Sequence, residues 1–508
     1  NKNLLRILKK SVMRLIHYYS KAFKIRKAAF IYGQLFLILT IGVIGCKKIE
    51  SSPFELGVGV ADITPPVGYW RYGYPPVKST GIKDSLYAKA LVFKQGDEQG
   101  ALLICNLLGI PRDLSRIIRE QVSKEAGIPF QNITVSATHT HTSPAITEEF
   151  QKFIDNEVNG ILVDSDETSY FRYLINGMTK AVMDASENRK AVKMISGIGQ
   201  APGLSFNRRY LMTDGKVRFN PGRLNPKTVL PAGPVDPDVH FVLFTSEDGL
   251  SFNASLTVFA SHYVRGGTEF SSDYPYYLEE NLKDAFGENF VSVFGLGPCG
   301  NINTVNLKDS TIENADRKVE KMGNTLAEVV KNADIKKKMS RPDFKVLSKV
   351  IYLPLQDYSQ EELLWSKEGG TSLYPESSFF EQRRKLKISV WGVQPPLEQL
   401  RLKEAIPPSF FGDPWRLPVE IHVFKLDKQT AIVTMPGELF TEFGIELKKM
   451  SPFENTMLIE LANADIAYVP TIQAFQEGSY EAINSRLAPG SGERMVEEAL
   501  IMLHQLSK

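Results

Sequence analysis

The sequence predicts an α/β fold, and three observations carry that prediction. Short apolar runs of strand length alternate with amphipathic runs of helical period along the whole chain. The composition is ordinary for a globular protein, with 43% hydrophobic, 10% aromatic and 23% charged residues, which excludes a disordered, collagenous or multi-span membrane chain. No repeat is visible, and no Ser/Gly/Pro stretch is long enough to separate two bodies. A chain of 508 residues can bury a large core. The expectation is one large domain of mixed β-sheets with flanking helices over residues 55–508.

The strands expected in chain order are Phe54–Ala61, Leu86–Lys94, Ala101–Leu107, Ile133–Ala137, Val239–Thr245, Phe252–Phe259, Phe290–Phe294, Val419–Lys425 and Thr430–Thr434, all runs of apolar and β-branched residues. The helices expected are Arg112–Ala126, Thr168–Asn188, Tyr276–Phe286, Ile312–Asn332, Phe440–Lys449 and Glu493–Leu506, where apolar positions recur at three and four. Residues 355–415 are rich in Pro, Trp and charge and poor in periodicity. They are expected to be an insertion or a cover over a site.

Nine basic and no acidic residues precede Cys46, and an apolar run from Ala28 to Gly45 leads into it. A basic region, an apolar region and small residues before a cut mark a secretory signal. The Cys after Val43-Ile44-Gly45 resembles the lipidation point of a bacterial lipoprotein signal, so residues 1–45 are expected to be signal and 46–54 a lipidated tether. An uncleaved anchor helix is the alternative, since about 18 apolar residues barely span a bilayer. Either way the remainder is expected outside the cytoplasm, at the periplasmic face, the outer membrane or the cell surface. Taking the nine bases from the 60 leaves 51 against 58 acids. That mildly acidic body lacks the electrostatic footprint of a nucleic-acid binder.

After Cys46 only Cys105 and Cys299 remain, too few for a disulfide framework or a four-thiolate zinc site. A metal would therefore need imidazole and oxygen ligands. Histidine is scarce, with seven in the chain, and two of them lie in Thr138-His139-Thr140-His141-Thr142-Ser143-Pro144 directly after an expected strand. In open α/β sheets the loops beyond strand carboxyl ends build sites, and an extended His-Thr-His would point both imidazoles one way. His262 and Glu438 also follow apolar strand-like runs. Read alone, each has a structural alternative: an HxH with no metal, a hydrogen-bonded core histidine, an acid at a helix N-terminus. Together, two imidazoles and a carboxylate are typical of a catalytic zinc with an open position, which lowers the pKa of water to about 7 and needs no nucleophilic Ser or Cys. GxSxG, HExxH, Walker A and CxxC motifs are absent from the sequence.

The ordered set Gly59-Val-Ala-Asp-Ile-Thr-Pro-Pro66, Thr138–Pro144, Asn207-Arg208, His262 with Ser272-Asp273, Gly295–Asn303, Pro436-Gly-Glu438 and Tyr468-Val-Pro-Thr471 followed by Tyr480-Glu481 resembles the catalytic domain of neutral/alkaline non-lysosomal ceramidases. The resemblance implies one zinc held by His139, His262, Glu438 and Tyr468, with His141, Arg208 and Tyr480 lining the site. It implies hydrolysis of the N-acyl amide of ceramide or a related N-acyl lipid to fatty acid and amine. The family's Gly-Asp-Val-Ser-Pro-Asn-like turn reads Gly300-Asn301-Ile302-Asn303 here, so Asn301 and Asn303 take the substrate-side positions without a group able to act as base or nucleophile. The expectation also omits the Ig-like β domain of longer members. The alternatives are hydrolysis of another amide or ester, or a non-catalytic lipid-binding surface lipoprotein on the same fold.

Overall fold

A computed structural model describes residues 9–10, 13, 17, 21, 52–72, 76–146, 150, 152–154, 156, 165–264, 266–332, 341–368, 378–391 and 416–508. The chain divides into two compact units, 1–52 and 53–508. In the first, the described residues Lys9, Lys10, Met13, His17 and Lys21 are helical and exposed. Cys46 and the apolar run before it lie outside the described residues. Among those described, no helix is long and apolar enough to cross a membrane.

The second unit is an α/β domain of mixed sheets with flanking helices. Its main elements are β1 (Phe54–Asp62), β2 (Tyr87–Gln95), β3 (Glu98–Cys105), α1 (Arg112–Ala126), β4 (Ile133–Ala137), α2 (Asp166–Glu187), β5 (Lys190–Gln200), β6 (Asp238–Ser246), β7 (Phe252–Phe259), α3 (Tyr274–Phe286), β8 (Val291–Leu296), α4 (Ala315–Lys331), β9 (Pro342–Pro354), α5 (Gln360–Glu368), α6 (Ser378–Trp391), β10 (Arg416–Asp427), β11 (Thr430–Thr434), α7 (Thr441–Met450), β12 (Asn455–Ile459), α8 (Ile472–Glu477), α9 (Tyr480–Ile483) and α10 (Ser491–Ser507).

Eight strands form one sheet in the order β8-β7-β6-β5-β1-β2-β3-β4, and four form another in the order β9-β10-β11-β12. The large sheet is antiparallel in its interior and parallel at both edges, β7 with β8 and β3 with β4. The small sheet ends in the parallel pair of β11 and β12. One local pattern therefore occurs three times: an antiparallel hairpin, a crossover helix, and a strand parallel to the hairpin's second arm. These units are β2-β3-α1-β4, β6-β7-α3-β8 and β10-β11-α7-β12. The sequence shows no matching repeat, because hydrophobic pattern alone specifies the unit.

The layers follow from which side of each strand is apolar. Phe54, Phe93, Leu102 and Phe244 of the large sheet meet Phe424, Ile432, Met457 and Ile459 of the small one in a shared core. The far face of the large sheet is covered by α1–α4 through residues such as Ile118, Phe171, Leu278 and Leu326. The far face of the small sheet is covered by α7 and α10 through Phe443, Leu447, Met495 and Leu503. At Gly59 a Cβ would stand 2.0 Å from the Ala181 carbonyl oxygen, so α2 can lie on β1 only where that strand has no side chain. Helix boundaries carry ordinary signals: a Ser165–Thr168 capping box opens α2, and Asp273 with Pro275 opens α3.

The nine expected strands and six expected helices are all present, with ends within a few residues. Three sheet strands, two of them long, have no counterpart in the sequence reading. β5 carries Gly197 and Gly199, which weaken a strand signal; a Cβ there would stand 2.4 Å from the Phe241 ring and 2.3 Å from Val329. β9 is an edge strand bounded by Pro342 and Pro354, and β12 has only five residues.

Candidate metal centre

The ends of the three ββαβ units converge. At the end of β4, Thr138 and His139 N–H groups donate to Cys105 and Leu107 carbonyls at the end of β3. At the end of β12, Glu460 N–H donates to the Leu296 carbonyl at the end of β8. His139 and His141 come from the first unit, His262 from the second, Glu438 from the third.

The His-Thr-His segment is not extended: His139 has φ 64°, a strained conformation for a non-glycine residue. The imidazoles nevertheless converge, with His139 Nε2 3.3 Å from His141 Nε2 and 3.5 Å from Glu438 Oε2. Ring centroids of His139 and His262 are 4.7 Å apart, and the ligand atoms of His139, His141 and His262 all lie within 4.8 Å of one another. The intervening threonines anchor the segment. Thr140 and Thr142 hydroxyls both donate to the Ser271 carbonyl at 2.7 and 2.8 Å. Ser271 and Ser272 in turn donate to the buried Asp84 carboxylate.

The outer nitrogens are also fixed. His139 Nδ1 is 2.7 Å from the Leu108 carbonyl oxygen, which makes Nδ1 a donor; burial pulls the His139 pKa down, but Glu438 beside Nε2 and the Leu108 carbonyl outweigh it and raise it. His262 Nδ1 is 3.4 Å from the Cys299 thiol. Burial, with His139 and Arg208 nearby, holds both His141 and His262 well below the usual histidine range, so both are neutral and able to offer a lone pair. Burial also pushes the Glu438 carboxyl up, but His139, Arg208 and Tyr468 outweigh it and hold it below its usual value. Its Oε2 is buried without a hydrogen-bond partner. A carboxylate oxygen with no hydrogen bond, 3.5 Å from His139 Nε2 and beside the neutral His141 and His262, fits a cation. The 3.5 Å separation of His139 Nε2 and Glu438 Oε2 is close to the roughly 3.3 Å edge of a tetrahedron with bonds of about 2.0–2.1 Å.

Tyr468 pairs with Glu438 across a two-residue parallel ladder. Its ring lies 5.3 Å from the Arg208 guanidinium, and the phenol helps hold the Glu438 carboxyl in its charged form. Arg208 is buried, donates from Nε to Glu481 at 2.9 Å and from Nη2 to the Gly300 carbonyl at 2.6 Å, and faces the rings of Tyr468 and Tyr480. Tyr480 stacks on Phe219 at 4.7 Å. The described part of the 355–415 stretch reaches it, since Arg383 of α6 lies 4.9 Å from the Tyr480 ring and donates to its hydroxyl and to Asn484.

Every expected ligand and lining residue thus falls in one region, which the two asparagines adjoin through Arg208: its N–H donates to the Asn301 carbonyl at 2.9 Å, while their side chains are engaged elsewhere. Asn301 is buried and committed to α7: its Oδ1 accepts from Thr441 N–H at 2.9 Å and its Nδ2 donates to Glu442 at 2.7 Å. Asn303, partly exposed, donates to Asn220 Oδ1 at 3.0 Å.

Three contributors, Glu460, Tyr263 and Arg71, escaped the sequence reading, and Glu481 was named there only beside Tyr480, without its role. Glu460, fully buried, accepts from Cys299 N–H at 3.1 Å and Leu439 N–H at 2.7 Å, tying together the segments that carry the partner of His262 and the neighbour of Glu438. A single acid inside the apolar run Met457–Ala462 was its available signal. Glu481 holds Arg208 and Arg209 together. Tyr263 stacks on the His141 ring and Arg71 donates to the His141 carbonyl at 2.8 Å; nothing in sequence marks either.

Fold and site together define a mixed α/β protein carrying a histidine-rich, carboxylate-containing metal-type centre. Residues 54–265 match the family model described as neutral/alkaline non-lysosomal ceramidase, N-terminal. Among curated proteins it is 24% identical over 204 residues to neutral ceramidase A of Dictyostelium discoideum, a match covering 36% of this chain and 27% of that protein. It is 24% identical over 189 residues to neutral ceramidase of Mycobacterium tuberculosis, covering 35% and 29%. The matches thus span under a third of those relatives. Among solved structures, neutral ceramidase from Pseudomonas aeruginosa superposes with a TM-score of 0.62 at 18% identity over 90% of this chain and 75% of that one. A ceramidase complexed with C2 gives 0.62 at 17% identity, with the same coverage. At such identities the likeness shows the fold.

Proposed function

We propose that this chain is a zinc-dependent amidohydrolase that cleaves the N-acyl amide of ceramide or a related N-acyl lipid to fatty acid and amine. One observation carries the reading: the imidazoles of His139, His141 and His262 meet the Glu438 carboxylate, whose Oε2 makes no hydrogen bond, in one centre. The homology to proteins named ceramidases supplies the substrate class. His139, His262, Glu438 and Tyr468 would hold the zinc, which when bound supplies a Lewis acid and a lowered water pKa. His141, neutral and 3.3 Å from His139, would accept the proton given up by the attacking water and pass it to the leaving amine. Tyr480 or His141 donates to the developing oxyanion, and Arg208 lines the site, oriented by Glu481. The three imidazoles alone are a second possible donor set, and His141→Ala separates the two: zinc retained with turnover lost supports the first, zinc lost supports the second.

The deciding experiment is fatty-acid release from long-chain ceramide by residues 47–508, with and without chelator, zinc being assayed alongside. Chelator-sensitive release is expected. No release and no zinc would sink the ligand set. No release with one bound zinc would favour a second reading, another amide or ester substrate, which the commitment of Asn301 to α7 also supports. We further propose lipidation at Cys46 and a periplasmic or surface location, which would hold the enzyme beside membrane substrate; loss of labelled-palmitate incorporation in Cys46→Ser would be the expected result.

A further inference from the structure

Ser479, the residue before Tyr480, stands at φ 76° and ψ −169°, a corner of backbone space that is essentially reserved for glycine. We infer that Ser479 is a positioning residue for Tyr480: its hydroxyl holds the Phe219 platform on which the Tyr480 ring lies, and so fixes where the phenol stands beside Tyr468 and Arg208. The inference rests on the reading above in which Tyr480 donates to the developing oxyanion.

The backbone gains nothing from a serine there. A Cβ at positive φ crowds the neighbouring backbone, whereas a glycine adopts the conformation freely, as Gly478 does one residue earlier at φ 70° and ψ −140°. What serine adds is Oγ, and Oγ accepts the Phe219 N–H at 3.1 Å across 260 residues of sequence. Serine at a helix start ordinarily caps that helix. Here α9 opens at Ser479 with no side-chain cap hydrogen bond, so the oxygen is given to Phe219 instead.

Phe219 ends the short strand Val217–Phe219, which pairs antiparallel with Arg209–Met212 so that Phe219 lies opposite Arg209. Its ring is a platform: Tyr480 stacks on it with centroids 4.7 Å apart, and the Arg208 guanidinium lies 5.1 Å from its centroid. Two consecutive residues thus hold Phe219 at two points, Ser479 by the backbone and Tyr480 by the ring. From that platform Tyr480 meets the Tyr468 ring edge-on at 5.6 Å.

Strained conformations persist where the surroundings over-determine them, and both sides of Ser479 are anchored. The Gly478 carbonyl accepts from Arg209 Nη1 at 3.0 Å, and the Ser479 carbonyl accepts from Ile483 N–H at 3.2 Å. The strain is therefore held against a purpose that a stack alone does not serve. Two rings in contact can slide, and misplacing a donor by about 1 Å can cost on the order of a hundredfold in rate. A backbone bond from the adjacent residue removes that freedom.

The test compares Ser479→Gly and Ser479→Ala in the whole chain, each alone and combined with Tyr480→Phe. Both lose the hydroxyl, but only alanine keeps a Cβ at positive φ, so the urea midpoint should be higher in Ser479→Gly than in Ser479→Ala. Both should nevertheless lower kcat for ceramide by a similar factor, about tenfold, with KM little changed and zinc retained. Neither should lower kcat further in the Tyr480→Phe background, because the effect runs through the phenol. Hydrogen exchange of the peptide containing Phe219, read by mass spectrometry, should quicken in both. Full kcat in both variants, a kcat loss confined to the less stable one, or an undiminished loss in the Tyr480→Phe background would each overturn the proposal. A chain that releases no fatty acid from ceramide counts against the proposed function, and exchange then decides this inference alone: quickened in both variants it stands, unchanged it falls.

Discussion

Glu481→Gln should be the most damaging conservative change near the metal centre. The Glu481 side chain is fully buried and accepts from Arg208 Nε at 2.9 Å and Arg209 Nη1 at 2.8 Å, with the two arginine side chains only 4% and 2% exposed. Removing the charge leaves two buried guanidiniums facing a neutral amide, and breaking such a pair costs about 3–5 kcal/mol. Arg208 keeps the Gly300 carbonyl and Arg209 keeps Glu477 at 2.9 Å, which places the expected loss near the lower end, about 3 kcal/mol. With a urea m-value of roughly 3 kcal/mol per M, that moves the unfolding midpoint down by about 1 M. Glu477→Gln is the matched control: its carboxylate touches the same arginine but is 20% exposed, so the loss should stay under about 1 kcal/mol. Equal, small shifts in the two variants would refute the claim that Glu481 neutralises the arginine pair.

Gly59→Ala should destabilise by about 1–3 kcal/mol or more, read by urea unfolding, because its methyl would stand 2.0 Å from the Ala181 carbonyl oxygen. His422, fully buried beside Glu420, has its pKa pushed down to about 4, chiefly by burial. Its folded value lies below its unfolded one, so its contribution is present above about pH 6.5 and is lost as pH falls toward 4. Up to about 3 kcal/mol is involved, and the acid-limb slope of stability should flatten in His422→Gln. Zinc content measured by mass spectrometry should be one per chain and should fall in His262→Ala and Glu438→Gln. Unchanged stoichiometry in both would remove them from the ligand set.

How much of this was legible in the sequence depends on how local each signal was. Strands such as Ile133–Ala137, Phe252–Phe259 and Thr430–Thr434 were readable to the residue because their apolar runs are bounded by turn residues. β5 was hidden because Gly197 and Gly199 are set by neighbours distant in sequence, the Phe241 ring and Val329. The ligand candidates were legible because histidine is scarce and each follows a strand. The positive φ of His139 was not, since it reflects how the end of β4 is pinned to Cys105 and Leu107. Glu460 and Asp84, and the role of Glu481, were missed for a related reason: their work is done on backbone, hydroxyl and guanidinium groups brought close only by the fold.

The threefold ββαβ arrangement bears on how this centre is inherited by pieces of the chain. Its donors come from residues as far apart as His139 and Glu438, and no single unit contains more than a fragment of the set. A proteolytic product or a partly folded chain can keep helices and sheets of one unit and yet hold no cation site. Occupancy of the centre would then act as a report on completeness, since a cation gripped by all three units stabilises only the chain in which all three are assembled.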